Sequence, residues 1–130
     1  MALETGMTSE FVNYTFTKES VEKFNRALGI DESHPMFNQV SPTLPIQLMI
    51  ELDSPWKNDI PHPLVHGRQV FNYKEQLKVD EVYQCRLRLN RVRQMKSEGK
   101  DALMFEQIIE CFQDDELKFS GSSLLIGYLS

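Results

Sequence analysis

The chain has 130 residues, the size of one domain, with 41% apolar and 25% charged residues, which excludes a disordered tail. Fourteen Lys and Arg against nineteen Asp and Glu leave a net charge of −5, which argues against general nucleic-acid binding. The two cysteines, Cys85 and Cys111, each lie in an apolar run with no CxxC pair; they read as buried small hydrophobes in a reducing, cytoplasmic setting.

Residues 1–12 carry small polar residues without a period and read as a flexible leader, with residues 13–130 as one domain. Glu4, Glu10 and the lack of an apolar run there do not fit a signal peptide, and no stretch is apolar enough to span a membrane. Val12 to Thr17 is extended. Thr17 then caps a helix with Glu19 in its first turn, an apolar face of Val21, Phe24 and Leu28, and Gly29 as the left-handed residue at its end. Residues 30–43 read as loop. Leu44 to Leu52 forms a short helix with Pro45 in its first turn and apolar side chains on nearly every face, the signature of a buried helix. Residues 53–64 hold three prolines and make an irregular connection.

From Val65 the period changes to two. Val65–Leu77 is an extended run and Lys78–Glu81 a turn. Val82–Met95 places Cys85, Leu87 and Leu89 on one face and Arg86, Arg88 and Asn90 on the other. Lys96–Lys100 is a hairpin loop around Gly99. Ala102–Phe112 places Phe105, Ile109 and Cys111 on one face, Gln113–Glu116 is a tight turn, and Leu117–Leu129 is the last strand, with Gly121 as a candidate bulge. The expected class is α+β: an antiparallel meander of four long strands, one further strand, and a curved sheet wrapped around the buried helix.

The run His66–Val92 resembles the N-terminal domain of MaoC-like dehydratases, a hot-dog fold. His66, Gly67, Gln69, Phe71 and Tyr73 match its His-Gly-x-Gln-x-Phe-x-Tyr spacing. Leu77, Val79 and Asp80-Glu81 match the following turn without its usual glycine. Ser41–Pro45 resembles the start of the family's central helix, and Phe16–Gly29 its opening helix.

The resemblance implies an acyl thioester on coenzyme A or acyl carrier protein, no cofactor, and reversible loss of water from a 3-hydroxyacyl thioester. Active members carry an Asp/His pair for that acid–base work. In this chain the Asp position falls on Glu32 and the His position on Phe37, and phenylalanine cannot move a proton. The resemblance therefore implies the pocket-shaping half of a pair, either a homodimer or a heterodimer with a catalytic subunit. A hot-dog thioesterase using Asp31 or Glu32, and a non-catalytic acyl-binding partner, are the alternatives.

Several residues carry two readings. Asp31, Glu32 and His34 are a shifted acid–base set or a polar loop after the helix cap. The Thr43 and Leu44 N–H groups face a thioester oxygen or are capped by Ser41 or Thr43. His66 and Gly67 border the thioester, or His66 is structural at a strand start. His62 and His66 have ligand spacing, but Pro63 disfavours a helix there and no third ligand is evident, so no metal is expected. Arg86, Arg88, Arg91, Arg93, Lys96 and Lys100 are a phosphate-docking patch or a solvated strand face paired with Glu106 and Glu110. Met36, Met49, Met95 and Met104 read as core, with some free to line an acyl tunnel. Neither a glycine-rich phosphate loop nor a Gly-x-Ser-x-Gly elbow is present.

Overall fold

A computed structural model describes residues 3–61 and 64–129, with Ile50 and Ser97 described by backbone only. His62 and Pro63 lie outside the described residues. The strands are β1 (Val12–Thr15), β2 (Leu64–Tyr73), β3 (Val82–Ser97), β4 (Lys100–Gln113) and β5 (Glu116–Tyr128). They form one antiparallel sheet in the order β1-β3-β4-β5-β2.

The order corrects the expected meander. β2 pairs with β5, so the chain crosses the sheet over residues 74–81 before entering β3. Three inter-strand steps need about 14 Å, well within reach of eight linking residues. A period of two reports faces, not pairing partners, so the crossover is invisible in the pattern. Leu77 is buried under this connection, and the Lys78 N–H donates to the Tyr83 hydroxyl at 2.8 Å. The two hairpins form as expected. Glu98-Gly99 and Asp114-Asp115 both take positive φ at both positions, the backbone that matches strand twist.

Helix α1 (Lys18–Ala27) begins at Thr17, whose Oγ1 accepts from Ser20 N–H. It ends on Gly29 at φ +84°, with Ile30 N–H donating to the Asn25 carbonyl and Gly29 N–H to that of Arg26. Its buried face differs from the expected one: Val21 is buried, Phe24 half-buried and Leu28 exposed, and Asn25 takes a place in the core. Asn25 Nδ2 donates to the carbonyls of Met36, Phe37 and Gln39, so this polar residue shapes the loop after the helix.

The apolar segment is a 3-10 turn, Leu44–Gln47, running into α2 (Leu48–Glu51). Leu44, Leu48 and Leu52 join the core with Trp56, Leu87, Leu89, Phe105 and Ile109. Ile46 and Met49 are only half-buried, and they line a cleft described below. The second apolar stripe of this segment thus serves a cavity wall and not the core.

Two further expectations are corrected. The leader is not loose over its described part. Gly6 N–H donates to the Leu89 carbonyl, Ser9 N–H to that of Leu87, and Leu89 N–H to that of Met7, so residues 3–11 extend the β1 edge of the sheet, with Leu3 buried. These bonds are made by backbone, which a side-chain period cannot report. Gly121 is not a bulge: it sits in register between Ile109 and Phe71. A Cβ there would lie 3.1 Å from the Phe119 ring and 3.5 Å from that of Phe71, so this glycine makes room for stacked aromatics. Gly127 is held more tightly, since a Cβ would meet Pro61 Cγ at 2.4 Å and the Pro61 carbonyl oxygen at 2.8 Å. Cys85 and Cys111 are free, buried cross-strand neighbours; the Cys85 contact and burial push the Cys111 thiol far up.

Among the described residues no helix is long and apolar enough to cross a membrane.

Candidate functional site

The residues His66, Gly67, Gln69, Phe71 and Tyr73 owe their spacing to one irregularity in β2. His66 pairs with Leu125 and Arg68 with Leu124, which leaves Gly67 as an extra residue. Without that bulge, His66 and Gln69 would point to opposite faces, because strand side chains alternate. With it, both face the α2 side of the sheet. His66 Nε2 and Ser123 Oγ each lie 2.8 Å from Gln69 Oε1. Phe71 stacks on Phe119, and the Tyr73 hydroxyl donates to the Pro42 carbonyl. Burial pushes the Tyr73 hydroxyl up to about 12, so it stays a proton donor and ties β2 to the turn that opens the helical segment.

A cleft of about 280 Å³ opens between this strand and that segment. Ile46, Met49, Ile60, Leu64 and Leu125 give it apolar walls, and His66, Gln107 and Ser123 are its polar lining. Gln107, Ser123 and Gln69 are cross-strand partners on one rung of the sheet. Gln107 Oε1 accepts from the buried Trp56 indole N–H at 2.8 Å, while Gln107 Nε2 donates to the Met49 thioether at 2.9 Å. In this arrangement Gln69 Oε1, an amide oxygen, accepts from both neighbours, so His66 donates from Nε2. Gln69 Nε2 is buried without a partner.

The other candidate residues lie elsewhere. Asp31, Glu32 and His34 are exposed and do not line this cleft. Asp31 accepts from the Ser33 hydroxyl and N–H, which hold its carboxyl below the usual range. Glu32 pairs with Arg26 at 3.1 Å, and His34 Nδ1 accepts from Met36 N–H at 3.0 Å. Phe37 is buried, with the Arg26 guanidinium 5.0 Å above its ring. The geometry of these residues is that of a self-satisfied polar loop.

The Leu44 N–H donates to the Ser41 carbonyl at 3.0 Å, the capped arrangement of its two readings. The Thr43 hydroxyl lies 3.3 Å from that of Ser41.

Arg86 and Arg88 point to the face away from the cleft. Their Nε atoms lie 2.9 and 3.4 Å from Glu110 Oε1, and the Arg86 guanidinium stacks on Phe11 at 4.6 Å. Beside them, Asn90 and Ser122 donate to Glu106, which lowers the pKa of that buried carboxyl. Both arginines thus lie on the paired strand face, with Glu110 as their shared partner. Of the methionines, Met49 lines the cleft, Met104 is core and Met36 is exposed. The His62 half of the possible ligand pair lies outside the described residues, and no cluster of metal-ligating side chains occurs among those described.

Gln107, Ser123 and Trp56 are the site residues that sequence reading missed. The signal was present for two of them: Gln107 interrupts the inward series Phe105, Ile109, Cys111, and Ser123 falls between Gly121 and Leu125 on the same face.

No family model matches the sequence, and no curated protein shows significant similarity to it. Solved structures match over nearly the whole chain. The chain is similar to a chain of the HadBC (3R-hydroxyacyl-ACP dehydratase) complex from Mycobacterium tuberculosis, with a TM-score of 0.79, 17% identity, and coverage of 98% of this chain and 100% of that one. It is similar to the MaoC-like dehydratase from Rhodospirillum rubrum, with a TM-score of 0.66, 9% identity, and coverage of 98% and 94%. A chain of the ChsH1–ChsH2 complex from Mycobacterium tuberculosis matches with a TM-score of 0.67, 13% identity, and coverage of 93% and 88%. The five-stranded antiparallel sheet with its helices is thus the hot-dog fold.

Proposed function

From the hot-dog fold that this chain shares with MaoC-like dehydratases, we propose that it is an acyl-thioester-binding subunit of a 3-hydroxyacyl dehydratase or enoyl hydratase. In this reading it shapes the acyl pocket, and a second subunit supplies the acid–base pair. The observation that carries it is the cleft between β2 and the helical segment, where apolar walls surround a short polar lining and His66 is the one titratable side chain among the described lining residues. Water loss from a 3-hydroxyacyl thioester needs a base for the α-proton and an acid for the departing hydroxyl. Among the described residues the lining offers no carboxylate to work beside His66, and Phe37 stands buried where the resemblance expects a histidine.

The need for a partner has a physical basis as well. β2 is an edge strand with one neighbour, and Leu64, Val65, Val70 and Tyr73 on it are exposed. An edge of this kind is covered by pairing with another sheet. The cleft borders that strand, so a partner docked there would complete the pocket. Two of the similar structures are complexes, which supports a MaoC-type second chain.

The test uses the purified full chain with crotonyl and 3-hydroxybutyryl thioesters of coenzyme A. The expected result is saturable binding with no change in the enoyl absorbance and no thiol release. Hydration of the enoyl group by the chain alone would contradict the pocket-shaping role, and thiol release would identify a thioesterase.

A further inference from the structure

The polar rung Gln107–Ser123–Gln69 is unusual for its place. The rungs on either side are Leu87–Ile109–Gly121–Phe71 and Val92–Phe105–Leu125–His66, so it crosses a surface that is apolar but for His66 at the β2 edge. Gln107 and Ser123 are both buried. Buried polar groups are tolerated when each finds a partner, which makes the balance of donors and acceptors informative.

Here both amide oxygens of the rung are engaged. Gln107 Oε1 holds the Trp56 N–H, and Gln69 Oε1 holds both Ser123 and His66. The donors are not. Among the described residues Gln107 Nε2 has only the thioether of Met49, a weak acceptor on a flexible side chain, and Gln69 Nε2 has no partner. The rung therefore presents N–H groups in excess beside the cleft. A plain alkyl chain filling the cleft would shut water out and leave those donors unmatched. An acyl chain with an oxygen at that depth would accept from Gln107 as Met49 swings away. Discrimination by a buried donor is strong because the ligand lacking the acceptor leaves it orphaned.

Building on the acyl-thioester reading, we propose that the cleft selects acyl chains carrying a ketone or hydroxyl oxygen deeper than the 3-position at which the dehydratase chemistry takes place, with Gln107 as the specificity-determining donor and Ser123 and Gln69 as its neighbours. The substrate class is an acyl thioester oxygenated within its chain and not a plain 3-hydroxyacyl one.

Titration of the full chain with octanoyl-CoA and with oxo-octanoyl-CoA thioesters, the ketone moved stepwise along the chain, tests this. The best oxo thioester should bind about tenfold tighter than octanoyl-CoA, the worth of about 1.4 kcal/mol. Gln107→Leu should abolish that preference, read as the ratio of oxo-octanoyl-CoA to octanoyl-CoA affinity. Gln107→Glu keeps an acceptor for Trp56 and replaces the donor, so it should lose the preference too even if the leucine variant folds poorly. Equal binding of all these thioesters by the wild type overturns the inference and leaves the acyl-thioester reading standing. Retention of the preference in both variants also overturns it, because Gln107 would then not be its source. Failure to bind any thioester overturns the acyl-thioester reading and this inference with it.

Discussion

Trp56→Ala is expected to lower the stability of this protein by about 3–5 kcal/mol, as large aromatic truncations in well-packed cores do. Trp56 is fully buried in the cluster that joins the helical segment to β3 and β4. Its removal also strips Gln107 Oε1 of its buried partner at 2.8 Å, which adds about 1–3 kcal/mol of uncompensated desolvation. A domain with a total stability of about 5–15 kcal/mol would be left marginal. Trp56→Phe separates the two terms: it keeps most of the apolar contact and should cost only the hydrogen-bond share. Chemical denaturation of both variants is the check. A loss under about 1 kcal/mol for the alanine variant would show that Trp56 does not anchor this core.

Asn25→Asp is expected to be nearly as damaging although it changes only an amide to a carboxyl. Asn25 Nδ2 faces the carbonyls of Met36, Phe37 and Gln39 at 3.3, 2.8 and 3.1 Å in a buried position. A carboxylate there places negative charge against three acceptors and removes their donor, an unpaired buried charge of the kind that costs about 3–5 kcal/mol. The sign of its pH dependence identifies the cause. The fold favours the protonated acid, so the folded-state pKa of the introduced carboxyl is raised. Between the unfolded and folded values the folded state binds more protons, and stability rises as pH falls. Urea unfolding of Asn25→Asp at neutral and mildly acidic pH should therefore show recovery on acidification relative to wild type. A pH-independent deficit would mean that the three carbonyl contacts are not the source.

These two residues mark where sequence reading ends. Periodicity showed Cys85, Leu87 and Leu89, and Phe105, Ile109 and Cys111, as inward faces, and turn chemistry found both hairpins, because each depends on neighbours within a few positions. The resemblance supplied the fold. Its motif becomes physical in the bulge at Gly67, which brings His66 and Gln69 onto one face. Trp56 fell inside an irregular connection, and Asn25 went unread in a helix whose inward face was given to Val21, Phe24 and Leu28. Their roles depend on partners 51 positions away for Trp56 and 11 to 14 positions away for Asn25. The β2–β5 pairing was hidden for the same reason. Acidic and histidine residues drew attention to Asp31, Glu32 and His34, whose hydrogen bonds and ion pair are all made with residues nearby in sequence. The cleft is lined instead by a glutamine and a serine that interrupt apolar strand faces.

The whole account stands on the cleft between β2 and α2 being where an acyl group lodges. A crystal structure of the full chain soaked with an unreactive S-alkyl coenzyme A thioether reads this directly. The account predicts the alkyl chain between Met49 and Ser123, with the sulfur at the rim formed by Leu64 and His66. Density for the chain in the groove beside Phe11 and Phe112, or for the sulfur against Asp31 and His34, would contradict it.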